Sequence, residues 1–284
     1  MNPFKIALTK LGLCTVIFLT LTGCEGSSLE RSLAPDPKLT SPTPVASPTP
    51  ELTATPSPTP TPEVVVTPSP VALADLSAVP SALQPFVQDV VNLQVIPVAE
   101  IQLNQPVTRR QFARWLMNVQ QRLYQNQIER QVRPATPGSP PLFTDVPRSD
   151  PDFAAIQGLA EAGIIPSRLT VSTNPPTRFQ PDQPLTRETL VAWKVSLDVP
   201  GALPAASGTD VSQVWGFQDV AKIKPWALGA LVADAGHEPS TVRRVWGRTG
   251  LFLPEKPVSQ AQALAALWSF GSGDTLVTAR DSLK

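Results

Sequence analysis

The stretch "QPLTRETLVAW", Gln183 to Trp193, decides the fold, because nearly the same sequence, "QPVTRRQFARW", stands at Gln105 to Trp115. Gln, Pro, Thr, Arg and Trp recur at identical spacing, and an apolar residue precedes each Thr. A sequence that returns along a chain indicates a repeat protein, in which each unit buries its apolar face against its neighbours.

A second pair of segments extends the repeat toward the C-terminus. "FTDVPRSDPDFAAIQGLAEAGIIPS" at Phe143–Ser167 is similar to "FQDVAKIKPWALGALVADAGHEPS" at Phe217–Ser240. A more divergent copy begins with "LADL" at Leu73–Leu76. We therefore expect three repeats, of which the first and the third are degenerate, at residues 71–133, 143–198 and 217–270.

Each repeat is predicted to form a helix, a loop and a second helix. In the middle repeat Asp150 is a candidate N-cap, Pro151 suits the first helical position, and Gly163 suits the position after the helix. The second helix begins at Thr186, with apolar residues at helical spacing behind it. Two short amphipathic helices cannot bury their apolar faces alone, so the predicted fold is an all-α domain of three helical hairpins.

The hydroxyl residue that opens each second helix is explained by capping. Thr108, Thr186 and Ser259 occupy equivalent positions. Gln111 and Gln262 follow Thr108 and Ser259 at the spacing of a capping box, in which the hydroxyl and the Gln side chain each accept from a backbone N–H. We therefore predict these three residues to be helix N-caps.

The arginine after the hydroxyl residue is not explained by capping. Arg109 and Arg187 place a positive charge at the positive end of a helix dipole, which favours a compensating anion at the free N–H groups there. A guanidinium also suits a carboxylate. The alternative is a local ion pair, for example with Glu188 or Asp182. The third repeat has Gln260 in this position, so a site there is expected to be weak.

These motifs resemble the S-layer homology repeat. The resemblance rests on Phe-x-Asp-Val, a Gly-Ile pair after the first helix, Phe-x-Pro before the loop end, and Thr-Arg opening the second helix. It implies a pseudo-threefold bundle with grooves between repeats. In this family the grooves bind cell-wall polysaccharide, typically through the carboxylate of a pyruvate ketal. Carried over to this sequence, that glycan-binding role falls on Arg109 and Arg187.

The N-terminus has the pattern of an export signal. Lys5 and Lys10 precede an apolar run from Leu11 to Leu19, which is too short to span a membrane comfortably. The following "LTGC", ending at Cys24, resembles the lipobox of bacterial lipoproteins. This resemblance implies a signal peptide at 1–23 and lipidation of Cys24; the alternative is an ordinary signal followed by a chance cysteine.

A proline-rich linker follows the predicted lipidation site. Proline makes up 12 of the 36 residues from Pro35 to Pro70. Because proline fixes φ and lacks the N–H donor, the segment 24–70 is predicted to be a disordered, extended stalk. At the other end, residues 271–284 form a polar tail that we expect to be frayed.

Composition limits the function classes. The chain carries 23 basic and 23 acidic residues, so no net charge steers it to nucleic acid. His237 is the only histidine and has no cysteine partner, so we predict no metal, no cofactor and no catalytic constellation. The arginines of the first repeat's second helix fit either a solvated face or contact with an anionic polymer.

Two functions remain. The first is a non-enzymatic envelope lipoprotein, exported and lipid-anchored to a bacterial membrane, whose repeat domain binds peptidoglycan-linked polysaccharide. That membrane is either the outer membrane at its periplasmic face or the plasma membrane at its outer face. The second is a scaffold that docks an envelope protein after losing glycan binding. Glycan binding needs an exposed Arg109 or Arg187, whereas protein docking needs a contiguous apolar patch.

Overall fold

A computed structural model describes residues 76–199 and 201–284. The predicted signal at 1–23, Cys24 and the proline-rich segment to residue 70 lie outside the described residues. The same is true of residues 71–75, the beginning of the first repeat.

The described residues are mostly helical, as the predicted all-α class requires. Two-residue strands β1 (Ser269–Phe270) and β2 (Val277–Thr278) form one antiparallel pair. The α-helices are α1 Gln84–Asn92, α2 Arg109–Leu123, α3 Phe153–Glu161, α4 Arg187–Asp198, α5 Gly208–Trp215, α6 Pro225–Ala235, α7 Thr241–Trp246 and α8 Gln260–Ala266. Short 3-10 turns lie at Val98–Glu100, Ile128–Arg130, Val220–Lys222, Gly273–Thr275 and Asp281–Leu283.

The helices predicted in the three segments are α1 and α2, α3 and α4, and α6 and α8. The main packing joins helices of different segments, since α1 packs on α8, α2 on α3 and α4 on α6, rather than the two helices of one predicted hairpin. Two further helices were not predicted: α5 lies in the connection before the third repeat, and α7 lies inside the loop of that repeat. The third repeat therefore carries structure that has no counterpart at the equivalent place in the second.

The start of α3 differs from the sequence prediction. The helix begins at Phe153 after Asp152, whereas Asp150 was expected to be the N-cap. The carboxylate of Asp150 instead accepts from the backbone N–H of Asp152 at 2.8 Å and from Arg110 at 3.1 Å. The helix starts later than predicted because Asp150 caps only the turn that precedes α3, and its carboxylate also binds Arg110.

The position after the first helix of a repeat often needs a positive φ, for which Gly163 was predicted. Gly163 follows α3 with φ +80°. Gln94 follows α1 with φ 58°, although side chains disfavour this region. After both α1 and α3 one residue therefore adopts the left-handed conformation. That residue is a glycine only after α3.

The residues that precede the three capping positions form a hydrogen-bonded ring. The N–H of Val107 donates to the carbonyl of Val258, that of Val258 to Leu185, and that of Leu185 to Val107, each at 2.9 Å. All three side chains are fully buried. Because the bonds close on themselves, each repeat contacts both of the others at this point.

Burial is greatest along the second helices. Trp115 in α2 and Trp193 in α4 are among the largest buried side chains. The same core holds a charge pair: Lys194 is fully buried, and its ammonium donates to the Asp198 carboxylate at 2.6 Å. Burial lowers the pKa of Lys194, and the nearby Asp198 opposes this effect.

The C-terminal residues 271–284 belong to the fold and are not frayed. Thr278 and Ala279 are buried, and β2 pairs with β1. Arg280 forms an ion pair with Asp89 of α1 at 3.1 Å. Although the segment is polar overall, it contains a short apolar stretch that packs against the core.

Across the described residues, every helix is too short or too polar to cross a lipid bilayer.

Candidate functional site

Hydroxyl side chains cap the three second helices. The Thr108 hydroxyl accepts from the Gln111 N–H at 3.3 Å, and the Gln111 side chain accepts from the Thr108 N–H at 3.0 Å. Ser259 and its Gln partner form the same capping box. Thr186 accepts from the Thr189 N–H at 3.4 Å.

The first backbone N–H groups of these helices are not free. In α2 the N–H of Arg109 donates to Gln183 and that of Arg110 to Pro181, each at 2.9 Å. In α4 the N–H of Arg187 donates to the Lys256 carbonyl at 3.1 Å. The expectation that free helix N–H groups would bind an anion is therefore wrong, since the next repeat already occupies them. Only side chains remain for that role.

Arg109 reaches from the first repeat into the second. Its Nε donates to the carbonyl of Phe179 at 2.7 Å. Its guanidinium carbon lies 4.8 Å from the centroid of the Phe179 ring and 5.0 Å from that of Trp193. The side chain is half-buried. Stacking on two aromatic rings fixes the orientation of the guanidinium.

The two rings that contact Arg109 belong to a row of four packed aromatic side chains. Phe112 stacks on Trp193 at 6.2 Å between centroids, Trp193 on Phe179 at 5.8 Å, and Phe179 contacts Phe143 at 5.6 Å. Offset contacts at such distances are favourable and limit ring motion. The platform under the arginine is therefore rigid.

An aspartate holds the loop that carries Phe179. The Asp145 carboxylate accepts from the N–H groups of Phe179 at 2.8 Å and Gln180 at 2.9 Å. Burial alone would raise the pKa of Asp145, but these hydrogen bonds lower it. In the third repeat Asp219 accepts from Phe252 at 2.9 Å in the same way. This is the structural reason for the repeated Phe-x-Asp-Val motif.

Arg187 occupies the equivalent place between the second and third repeats. Its Nη1 donates to the Phe252 carbonyl at 3.0 Å, and its guanidinium carbon lies 4.9 Å from the Trp246 ring centroid. The residue is only 7% exposed. The Nε of Arg187 and the Nε1 of Trp246 are buried without a hydrogen-bond partner in the described part of the chain.

Neither arginine has a counter-ion among the described residues. Asp182 pairs with Arg110 at 2.8 Å, and Glu188 pairs with Lys224 at 3.0 Å. The local ion pairs suggested for Arg109 and Arg187 are therefore not formed, because the candidate acids bind other cations.

Burial without a counter-ion shifts both guanidinium groups. Desolvation lowers the pKa of Arg109 to about 10, and the charge of Asp145 offsets this only in part. Desolvation also lowers the pKa of Arg187, with partial compensation from Asp219. An acceptor anion would relieve the cost of burying either guanidinium group.

The junction between the third and first repeats is neutral. Gln260 is buried, and its side-chain oxygen accepts from the Gln102 N–H at 2.7 Å. An amide thus replaces the guanidinium in the third position.

Two arginines of α2 form ion pairs with acids of the second repeat. Arg110 pairs with Asp150 at 3.1 Å and Asp152 at 3.3 Å. Arg114 pairs with Asp152 at 2.5 Å and with Glu100 at 2.6 Å. These two arginines form neither a solvated face nor a free surface for a polymer.

Within 76–199 and 201–284, no group of three or more His, Cys, Asp or Glu side chains could hold a metal ion. The ring of His237 lies 3.4 Å from the carbonyl of Asp198.

Sequence reasoning missed two parts of these junctions. The aspartates at 145 and 219 repeat visibly in Phe-x-Asp-Val, so their motif was a usable signal for a shared structural task. Trp246 gave no such signal, because it lies on α7, which has no counterpart in the other repeats.

Comparison with known families identifies one segment of the chain. Residues 142–190 match the family model of the S-layer homology domain. The matched segment contains Asp145, Phe179 and Arg187. A search among curated proteins finds no match to the chain. S-layer homology domains are in general modules that bind cell-wall polysaccharide, and they indicate a protein associated with the cell envelope.

Proposed function

We propose that this chain is a non-enzymatic envelope lipoprotein that attaches a membrane to the cell wall by binding a peptidoglycan-linked polysaccharide. The observation that carries the proposal is a pair of arginines at two repeat junctions, Arg109 half-buried and Arg187 buried, neither with a counter-ion in the described residues. Such groups are costly to bury unless an anion completes them.

The ligand group that fits best is a carboxylate on a sugar, as in a pyruvate ketal. Arg109 uses only Nε in its hydrogen bond to the protein, so its two terminal nitrogens are available for a bidentate contact. The stacked rings of Phe179 and Trp193 hold those nitrogens in place. We propose the Arg109 junction as the principal glycan site.

Arg187 is a second, more enclosed candidate. Its burial and its unpartnered Nε suit an acceptor that enters beside Trp246. Entry there requires a shift of side chains, so we expect this junction to bind more weakly than the first. The Gln260 junction offers no positive charge and is not proposed as a site.

The arrangement of the sites follows from three repeats related by a pseudo-threefold axis. The closed ring of Val107, Leu185 and Val258 hydrogen bonds supports this arrangement. The equivalent contacts of Arg109 to Phe179 and of Arg187 to Phe252 support it further.

At the other end of the chain we propose that Cys24 is the lipidated N-terminus. The short apolar run before it and the "LTGC" sequence support this proposal. Acyl chains on the cysteine would anchor the protein without a spanning helix. The proline-rich segment 24–70 would then separate the membrane from the repeat domain.

Binding to isolated wall sacculi tests the wall attachment. The full-length protein in detergent is sedimented with sacculi before and after chemical removal of the secondary polysaccharide. We expect co-sedimentation with intact sacculi and its loss after removal. Equal binding to both preparations, or to neither, contradicts glycan attachment and favours the protein-docking alternative.

Membrane anchoring has its own test. The Cys24→Ser variant is expected to leave the membrane fraction, since it removes the only proposed acylation site. A Cys14→Ser variant is the matched control, because that residue lies within the predicted signal. Retention of the Cys24→Ser protein in washed membranes would overturn the lipid assignment.

A further inference from the structure

The third repeat has a cleft that the junction sites do not use. It lies between α5 and the segment that follows α7, encloses about 490 Å³, and is lined by Val214, Trp215, Glu238, Arg243, Arg248 and Thr249. A volume in this range suits a small molecule. The helices α5 and α7, which line the cleft, have no counterparts at the equivalent places in the second repeat.

One wall of the cleft is a fixed guanidinium. Arg243 lies with its guanidinium carbon 4.9 Å from the Trp215 ring centroid and donates to Glu238 at 3.2 Å. The ring beneath it is immobilised: its Nε1 donates to the Leu231 carbonyl at 2.8 Å, and it stacks on Phe217 at 5.4 Å. Stacking of this kind pre-organises an arginine for a planar anion.

A second guanidinium on the cleft has no protein acceptor. Arg248 is exposed, and its side chain forms no hydrogen bond or ion pair within residues 76–199 and 201–284. Gly247, which precedes it, adopts φ 68° and ψ −157°, a conformation open essentially only to glycine. The cleft is lined by two arginines and one acidic residue, Glu238, so its net charge is positive.

The remaining walls are largely apolar. Val214 is an exposed large hydrophobic residue on α5, and Thr249 also lines the cleft, with its hydroxyl donating to the Leu251 carbonyl at 2.9 Å and accepting from the Leu251 N–H at 3.2 Å. A ligand for this surface needs an anionic group for the arginines and a compact body with a C–H face. A sugar that bears a carboxylate or a phosphate combines these features, whereas an inorganic anion would leave Val214 uncovered.

We propose that this cleft is a binding site for an anionic sugar, with Arg243 and Arg248 as the ligands of its charged group. The site is separate from Arg109 and Arg187 and does not depend on glycan binding at the junctions. It gives the third repeat, which has Gln260 where the others have arginine, an anion site of a different construction.

Nuclear magnetic resonance of the six tryptophan indole N–H groups tests the proposal in the full-length protein in detergent. The Trp215 signal is assigned with Trp215→Phe, and the protein is titrated with glucuronate, glucose 6-phosphate and glucose. We expect Trp215 to shift with one or both anionic sugars and not with glucose, and the better of the two identifies the anion. No shift with either anion, or an equal shift with glucose, overturns the proposal.

Variants separate this site from the junctions. Arg248→Gln is expected to weaken binding of the anionic sugar by about tenfold or more, the lower end of a charged hydrogen bond, without altering the fold. Arg133→Gln, which removes an exposed charge elsewhere, and Arg109→Gln should leave the Trp215 titration unchanged. If Arg109→Gln abolishes it and Arg248→Gln does not, the proposed cleft is wrong. Sedimentation with sacculi remains a separate test of junction binding.

Discussion

Arg109 of the first repeat lies over Phe179 of the second, with 4.8 Å between the guanidinium carbon and the ring centroid and 2.7 Å between Nε and the Phe179 carbonyl. This contact joins two repeats and also presents a positive charge without a counter-ion in the described residues. The same residue therefore serves folding and, in our proposal, recognition.

The Asp145 hydrogen bonds should make stability depend on pH. The pKa of Asp145 is lower in the fold than in the unfolded chain, so its contribution is present above the unfolded pKa and is lost as pH falls through the folded pKa. We expect Asp145→Asn to cost about 1–3 kcal/mol near neutral pH. Denaturant titrations should show this difference from the parent shrinking in acid, and a constant difference would contradict the assignment.

The acids that bind Arg110 should differ in importance. Asp152 is 2% exposed and also binds Arg114, whereas the side chain of Asp182 is 80% exposed. We expect Asp152→Ala to lower the free energy of unfolding by about 1.5–3 kcal/mol, because it removes a buried charged acceptor that Arg110 and Arg114 share. Asp182→Ala, the matched control, should cost at most about 1 kcal/mol. Similar losses for both variants would show that burial does not decide the effect.

Capping by Thr186 predicts a specific loss. Thr186→Ala should reduce the free energy of unfolding by about 1 kcal/mol, since it removes the acceptor for the Thr189 N–H. Thr186→Ser keeps a hydroxyl and should retain most of the stability. If the alanine and serine variants unfold at the same denaturant concentration, the hydroxyl does not stabilise α4.

The C-terminal segment should stabilise the domain. Deleting residues 277–284 removes β2, the buried Ala279 and the Arg280 ion pair with Asp89. We expect a clearly lower thermal midpoint, with Lys284→Ala as a control that leaves the midpoint unchanged. An unaltered midpoint after the deletion would show that this segment is a frayed tail, as its composition predicts.

The helical repeats and their capping residues follow from local sequence, because hydroxyl residues and helical spacing act within one or two turns. The surroundings of Arg109 and Arg187 do not. Their hydrogen-bond partners Phe179 and Phe252 lie 70 and 65 residues away. The acids suggested as local partners, Asp182 and Glu188, bind other cations. Likewise the charge on α2 was visible, but its pairing with Asp150 and Asp152 depends on how the repeats pack.

The third repeat shows a different limit. Trp246 on α7 lies next to the Arg187 guanidinium. The second repeat has no tryptophan at the equivalent position. A pattern derived from the other copies cannot predict an element that only one copy contains.

The most direct test of the account is the affinity of Arg109→Gln for wall sacculi that carry their polysaccharide, measured at two salt concentrations beside the parent. Arg122→Gln removes the same charge from the same helix and is the control. Arg109 is preferred to Arg187 because its side chain is half-buried, whereas Arg187 is only 7% exposed. Because Arg109→Gln also removes the donor to the Phe179 carbonyl, the unfolding midpoint of the variant is measured beside its affinity. The account predicts a loss of about 1.5–3 kcal/mol for Arg109→Gln alone, smaller at high salt. Binding equal to that of the parent would contradict it.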